Sequence, residues 1–557
     1  LFRDRLAKKN GNAMTMRENA IGWTRVAALA VFASAVSWAG QSFSIGLKLT
    51  STNQAQVTWP AQGGVNYELQ QSSDLAFTND AASRFFLGKG DTLPADVTFA
   101  SAPQGFWRVR AMDQSSGVCV ATSGALAGKL VRYNAAGQAV ALRAFGVNYY
   151  DAFLRYLSNS NDTSFIQGFE YLNTHHIPVV RVLAAGFWPK DWNLYFTNKT
   201  EYYRRMDFLV QQAEQKGVGL ILDLFWTPTT VGELVDDAVA AGYLTPGADF
   251  VADSPLNTNY LGQATFAEYR KDLGRRDSGS NALIAYYTRE MVGRYAHSSA
   301  VWGWEFGNEY NLAVDLPNIA TQRPTRSPSL GQNLPAESSS VPAWSGKEDI
   351  TRDDILVAKQ TFAAAVRSID TWRFIMSGDS TPRPSAYNNW KSHTWTVNAR
   401  TDLAKVIPMD NPAPMDTVTL HHYPEKPGGA VVYYFSDAPV TNEWLTGNYK
   451  ARIDYFLTNS AALNRPLVVG EWGAIGDGTT DDEKTTFNRF MQALIDAHVQ
   501  LSLMWTFDTR NIGMTNQWWI QTGQISGYPA SPKLYTITND NSNLWDLEQA
   551  NQTYGSW

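Results

Sequence analysis

The chain has 557 residues, of which 44% are hydrophobic and 18% charged, which excludes a disordered or fibrous protein. Its 46 Lys+Arg against 52 Asp+Glu give a net charge of −6, so no nucleic-acid partner held by phosphate neutralisation is expected. The single cysteine, Cys119, excludes an intrachain disulfide framework and a Cys-rich zinc site. The unusual figure is aromatic: 20 Trp, 25 Tyr and 26 Phe make up 13% of the chain. Such rings build cores, and they also build flat faces on which ligands stack.

From Met16 a short basic region precedes an apolar run at residues 26–36, and Ser37-Trp38-Ala39 places small residues where a signal peptidase reads them. This is the layout of a secretory leader cleaved after Ala39, with residues 1–13 read as translated from upstream of the true start. The run falls short of the ~20 residues of a membrane-spanning helix. The mature chain is therefore expected to be secreted, periplasmic or at the cell surface, with no membrane span. Residues 1–39 hold six Lys/Arg and two Asp/Glu, so their removal takes the net charge from −6 to −10.

Residues 40–120 alternate in short strands separated by Gly, Pro, Asn, Asp and Ser, the spacing of a small all-β sandwich. Trp59-Pro60, Tyr67-Glu68-Leu69-Gln70-Gln71 and Phe106-Trp107-Arg108-Val109-Arg110-Ala111 resemble a fibronectin type III-like module, either an accessory binding unit or a spacer. Residues 121–129, rich in small side chains, read as a linker.

Residues 130–557 begin with a hairpin signal around Asn134-Ala135-Ala136-Gly137. Strand-like apolar runs then fall at 145–150, 179–183, 220–224, 301–306, 374–377, 418–421, 466–470 and 501–506. Helical patterns separate them at 164–176, 201–216, 281–295, 353–369, 449–463 and 481–498. Near-continuous apolar strands alternating with helices predict an α/β chain folded as a (β/α)8 TIM barrel. A doubly wound sheet would show a Gly-rich turn after its first strand, and Gly146-Val147-Asn148-Tyr149-Tyr150 is not one.

Catalytic groups of such barrels lie at the carboxyl ends of the strands. Here those ends carry Arg181, Asp223, Asn308-Glu309, His421-His422-Tyr423, Gly470-Glu471 and Trp505. Glu309 and Glu471 would face one cleft. Glu305, four residues before Glu309, is expected on the same inward side as a structural carboxylate one layer down.

In their order and placement, Asn308-Glu309, His421-x-Tyr423, Gly470-Glu471, Arg181 and Trp505 resemble clan A glycoside hydrolases, family 5 most closely, over residues 128 to about 510. The resemblance implies a secreted retaining glycosidase of a β-linked polysaccharide or oligosaccharide, of glucan or mannan type, with Glu309 as acid/base and Glu471 as nucleophile. An acid acting near neutral pH calls for a raised pKa at Glu309. Arg181 is expected beneath the nucleophile, in ion pairs with Asp223 or Glu305, or in both roles. Asn308 is a candidate for the sugar 2-hydroxyl and Tyr423 for a donor to Glu471. His421 would orient the site, or His422 if the register slips by one, and Trp505 would form the sugar floor. Tyr149, Trp188, Trp192, Trp226 and Trp472 could line further subsites or belong to the core. A transglycosylase using the same site and a non-hydrolytic carbohydrate-binding protein are the alternatives.

The chain departs from the family pattern at Phe225, where a His is usual, and at Tyr310, where a Pro is usual. Two long insertions follow strands three and four, at 227–280 and 311–352. By resemblance to mannanase-like members, the first would wall one side of the cleft. The Pro/Ser-rich part of the second, 323–342, reads as mobile. His175-His176 and His421-His422 are adjacent pairs that do not converge on one ion, so neither a metal site nor a cofactor is expected. Asp481-Asp482-Glu483 reads as the first turn of a helix.

Overall fold

Each of the eight apolar runs is a parallel strand. The computed structural model describes residues 30–31, 45–51, 54–73, 77, 82–98, 106–114, 117–227, 230–252, 257–258, 264–319, 346, 349–423, 434–437, 448–473, 481–508 and 543–557. Nearly all of residues 1–39, where a leader is expected, and all of residues 323–342 lie outside these. The strands are β1 (Ala144–Asn148), β2 (Val179–Leu183), β3 (Gly219–Phe225), β4 (Val301–Gly307), β5 (Phe374–Met376), β6 (Val418–His422), β7 (Leu467–Trp472) and β8 (Leu501–Met504). Their order is β5-β4-β3-β2-β1-β8-β7-β6, so β1 pairs on both sides and the open seam of the barrel falls between β5 and β6. The fold is the expected (β/α)8 barrel preceded by small antiparallel sheets.

Among the described residues no backbone ladder joins β5 to β6, and side chains bridge that seam instead. The Ile375 amide donates to Asp416 at 2.7 Å and the Thr417 hydroxyl donates to the Ile375 carbonyl at 2.9 Å. Asn411 Oδ1 accepts from the Thr419 amide at 3.0 Å and from the Ser377 hydroxyl at 2.8 Å. Burial raises the Asp416 carboxyl, and Arg367 at 2.8 Å opposes that rise.

The helices lie outside the strands, and local chemistry sets their ends. Lys199–Lys216 starts where Asn198 accepts from the Glu201 amide and stops at Gly217, in the left-handed conformation at φ 68°. Arg352–Arg367 starts with a reciprocal Thr351–Asp354 capping box. The 227–280 insertion contains the helix Val231–Ala240 and folds back on the barrel wall. There Glu268 accepts from the Gly279 amide and from the Ser280 amide and hydroxyl, each at 2.7 Å. No helix among the described residues is long and apolar enough to cross a membrane.

Inside the barrel, Val179, Ile221, Phe374, Met376, Val468, Leu501 and Leu503 form an apolar floor. A three-stranded sheet of Cys119–Val120, Leu130–Tyr133 and Ala139–Ala141 plugs it from the amino-terminal end, with Val118, Leu130 and Leu142 in the same cluster. Residues 121–129 are the turn between the first two of these strands, closed by Ala121 N–H to Lys129 O at 2.9 Å.

Ahead of the plug lie two facing sheets. One contains Gly46–Ser51, Gln54–Pro60 and Thr92–Thr98; the other contains Val65–Ser72, Ala82–Leu87 and Phe106–Gln114, with Ala30–Val31 parallel to Phe106–Trp107. Trp59 and Trp107 are buried in their shared core with Val57, Leu69, Phe86 and Val109. The second sheet is joined to the barrel's amino-terminal end. Phe85 donates its amide to Ile369 O at 2.7 Å, its carbonyl accepts from the Thr371 hydroxyl at 2.8 Å, and Asn66 Nδ2 donates to Ala296 O at 3.2 Å.

Candidate active site

Above the apolar floor the barrel interior turns polar, and Arg181 is its centre. The guanidinium is fully buried and donates to five side chains: Glu305 at 2.5 Å, Glu471 at 2.7 Å, Asn308 at 2.9 Å, Asn148 at 3.1 Å and Asp223 at 3.2 Å. Both structural partners expected for Arg181 are therefore present together with the catalytic candidate. Burial would lower the guanidinium's pKa, but Glu305, Glu471 and Asp223 outweigh it and the cation is held firmly. Burial pushes the Asp223 carboxyl well up, with Glu305 adding to the rise and Arg181 opposing it. Glu305 is also raised, chiefly by burial.

Glu471 reaches this centre through a break in strand register. In β7, Val468 faces the barrel floor while Val469 packs outside. Strict alternation would send Glu471 outward with Val469. Pairing with β6 shifts from Leu420↔Val469 to His421↔Glu471, so Gly470 is an extra residue and Glu471 turns inward. Gly470 is needed for space as well, since a Cβ there would press on His421 Nε2 at 2.8 Å. Past the bulge Trp472 faces outward and stacks on Phe487 and Phe490, which places it in the core and not in a subsite.

Glu309 follows β4 in the left-handed conformation at φ 55°, its amide donating to Gly378 O at 2.9 Å. Gly378, at φ 72°, could not carry a side chain, because a Cβ would collide with the Gly307 carbonyl oxygen. The Asn311 side chain fastens the same loop to the segment after β5: its Nδ2 donates to Ser380 O at 2.7 Å, and the Ser380 amide donates to its Oδ1 at 3.1 Å. Behind lies a buried ionic cluster in which Lys359 pairs with Asp379 and Arg352 with Asp410. Asp379 also accepts from the Asn311 amide at 3.4 Å.

His421 joins the two glutamates. Its Nδ1 lies 3.1 Å from Glu309 Oε1 and 3.6 Å from Glu471 Oε2. The other Glu471 contact is the Tyr423 hydroxyl, which donates to Oε2 at 2.8 Å. His422 is outside the site, edge-on to Phe490. One donor atom each from Glu309, His421 and Glu471 lie within 4.8 Å of one another, the single cluster among the described residues able to hold a cation. Glu471 is already engaged by Arg181 and Tyr423, however.

A raised Glu309 carboxyl was expected, and the free site gives the opposite. Burial does push it up, but the His421 hydrogen bond and charge, helped by Ser380 and Arg181, bring it below the ordinary glutamate value. Its side chain remains 30% exposed.

Of the aromatic candidates, Trp505 lies at the end of β8 against Tyr150 and Trp226 and is 5% exposed. Tyr149 and Trp192 are core residues. Tyr149 donates to Asp508 at 2.8 Å and meets Phe169 and Phe507 edge-on, while Trp192 packs on Tyr195 and Tyr287. Trp188 is exposed. Phe225 sits among Trp192, Tyr287, Phe306 and Phe362.

One site residue escaped the sequence reading. Asn148, fully buried at the end of β1, donates to Gly470 O at 3.0 Å and Leu503 O at 3.2 Å while accepting from Arg181. It ties the strand that carries Glu471 to β8 and to the guanidinium. Its signal was a lone amide ending an apolar strand.

Comparison with known proteins places this arrangement. The family Cellulase (glycosyl hydrolase family 5) matches residues 133–511. No curated protein sequence matches the chain. Among solved structures it is similar to an endo-1,4-beta-mannanase from Rhizomucor miehei, at 16% identity and a TM-score of 0.43, covering 73% of this chain and 94% of that one. An endo-1,4-beta-D-mannanase from Thermotoga petrophila RKU-1 gives 13% and 0.42, with 74% and 100% covered. The family 5 mannosidase from Rhizomucor miehei gives 14% and 0.43, with 78% and 99% covered. The family match spans the barrel and every strand end described above, so the chain belongs to glycosyl hydrolase family 5 and is a glycoside hydrolase.

Proposed function

We propose that the protein cleaves a β-linked polysaccharide or oligosaccharide, of glucan or mannan class, with retention of configuration. One observation carries this reading: the donor atoms of Glu309, His421 and Glu471 lie within 4.8 Å of one another. Retaining enzymes hold their two carboxyl groups about 5–5.5 Å apart, whereas inverting ones leave about 6.5–9.5 Å for a water. The name cellulase carried by the matched family favours a β-linked glucan.

Glu471, aimed by Arg181 and Tyr423, attacks the anomeric carbon as the bond to the leaving oxygen breaks, and Glu309 delivers a proton to that oxygen. The Glu309 carboxyl, low in the free site, takes up its proton as a bound sugar displaces water from its exposed part. Esterification then removes the Glu471 charge, and Glu309 deprotonates the water that releases the sugar. Asn308, its carbonyl oxygen held by Arg181, offers its NH2 to the sugar 2-hydroxyl.

Glu309→Ala and Glu471→Ala are each expected to abolish hydrolysis. Azide is expected to restore turnover to the Glu471 variant as a glycosyl azide of inverted configuration. An inverted sugar as the first product of the wild type, seen by NMR, would overturn the assignment.

The same reading takes residues 1–39 as a secretory leader and 40–120 as a fibronectin type III-like module ahead of the catalytic domain at 130–557. The two facing sheets support the module and the leader layout supports export. Amino-terminal sequencing of exported protein is expected to begin at Gly40.

A further inference from the structure

Glu309 and His421 meet across the open seam of the barrel. Glu309 follows β4 and His421 lies in β6, while β5 stands between them with no backbone ladder to β6 among the described residues. Strand ladders alone therefore do not fix the 3.1 Å contact between Glu309 Oε1 and His421 Nδ1. Glu309 is also in the left-handed conformation at φ 55°, which a residue other than glycine keeps only where its surroundings enforce it.

That enforcement comes from residues 378–383, after β5. On one side they hold the Glu309 loop. Gly378 O accepts from the Glu309 amide at 2.9 Å, and Arg383 donates to Leu312 O at 2.8 Å. Between these two bonds, the Asn311 side chain pairs with the Ser380 backbone as a strand neighbour would: Nδ2 donates to Ser380 O at 2.7 Å, and Oδ1 accepts from the Ser380 amide at 3.1 Å. On the other side the segment holds β6, because the Thr381 amide and hydroxyl both donate to the His421 carbonyl oxygen, at 3.1 and 2.5 Å. One short segment is thus the common reference for both members of the Glu309–His421 pair.

Asn311 is also tied from behind. Its Nδ2 donates to Asp410 Oδ2 at 3.3 Å and its amide to Asp379 Oδ1 at 3.4 Å. Both carboxylates are buried, and the Lys359 ammonium pairs with Asp379 and donates to Asp410 O at 2.8 Å. Buried charge-assisted bonds are strong and find no substitute in water, so Asn311 has one place to sit.

We propose that Asn311 is a positioning residue for proton delivery: from its buried place it sets where the Glu309 carboxyl stands relative to the leaving oxygen. This rests on Glu309 being the acid/base, and the test separates the two. A general acid must come within hydrogen-bond reach of the atom it protonates, so losing Asn311 is felt as lost proton assistance and not as lost binding. The full chain and its Asn311→Ala, Asn311→Ser and Glu309→Ala variants are given aryl β-glycosides, cello or manno as the wild type prefers. The leaving group is 2,4-dinitrophenol, which departs without a proton, or phenol, which needs one. Asn311→Ala is expected to lose about tenfold in kcat/KM on the phenyl glycoside and about twofold or less on the dinitrophenyl one. Asn311→Ser is expected to show the same split and carries the test if the alanine variant does not fold; turnover of the dinitrophenyl glycoside reports a folded site in either. Equal losses on the two substrates, or no loss on either, while Glu309→Ala shows a strong split, would overturn the proposal and leave the acid/base standing. No split in Glu309→Ala would overturn the acid/base reading and the proposal with it.

Discussion

The Tyr310 hydroxyl donates to the Phe225 carbonyl oxygen at 3.2 Å. These are the two positions at which the chain departs from the family pattern, and their rings also share Phe306, which lies 6.0 Å from Phe225 and 5.6 Å from Tyr310. The two side chains form one aromatic wall behind the loop that carries Glu309. Phe225→His would put an imidazole among Trp192, Tyr287, Phe306 and Phe362 and is expected to cost about 2 kcal/mol. Tyr310→Phe removes one hydrogen bond and is expected to cost about 1 kcal/mol. Urea unfolding of both single variants and the double tests this, and the two effects are expected to be non-additive.

Arg181→Lys keeps the charge but cannot reproduce five directed donors. The expected result is a kcat reduced by about a hundredfold with a smaller change in KM, together with a loss of about 3 kcal/mol in stability. A Lys variant with wild-type kcat would show that the fork geometry is not needed to aim Glu471.

Lys359 carries a buried cation paired with Asp379, behind the loop that presents Glu309. Lys359→Met leaves Asp379 buried beside an empty partner and is expected to cost about 3–5 kcal/mol. The double variant Lys359→Met/Asp379→Asn is expected to recover much of that. Chemical denaturation measures both, and no recovery in the double would mean that Lys359 acts mainly by packing.

Asp223 gives a pH dependence of definite sign. Its folded pKa is raised by burial, so it binds a proton in the folded chain at pH values where the unfolded chain has released it. The stability it contributes is full below about pH 4 and is lost as pH rises through the folded value. Asp223→Asn removes this titration. Relative to the wild type, the variant is expected to gain stability steadily as pH rises above about 4, read from unfolding curves at several pH values.

The barrel was legible because parallel strands buried on both faces read as unbroken apolar runs, and Val179–Leu183 falls where the pattern put it. Helices with clear caps were legible too, such as Lys199–Lys216 between Asn198 and Gly217. The helix Arg400–Asp410 was hidden by Pro408 inside it, and Ala152–Ser158 is too short to show a period. At the site, the strand-end rule located Glu309, Glu471 and Arg181. Direction was harder, because it depends on local breaks in regularity. The Gly470 bulge turns Glu471 inward and Trp472 outward, so Trp472, read as a possible subsite, is core. The lowered Glu309 carboxyl likewise depends on His421, 112 residues away in the chain.

The backbone pairing between Phe85 and the Ile369–Thr371 turn bears on how such a chain can change over generations. A sandwich hung on a slack tether can be lost, duplicated or swapped by recombination at no cost to its neighbour. This one supplies hydrogen-bond partners to the turn that leads into β5, so an exchange that kept the barrel intact would still strip that turn of its partners. A grafted sandwich would have to bring its own equivalent of Phe85 to keep that turn bonded.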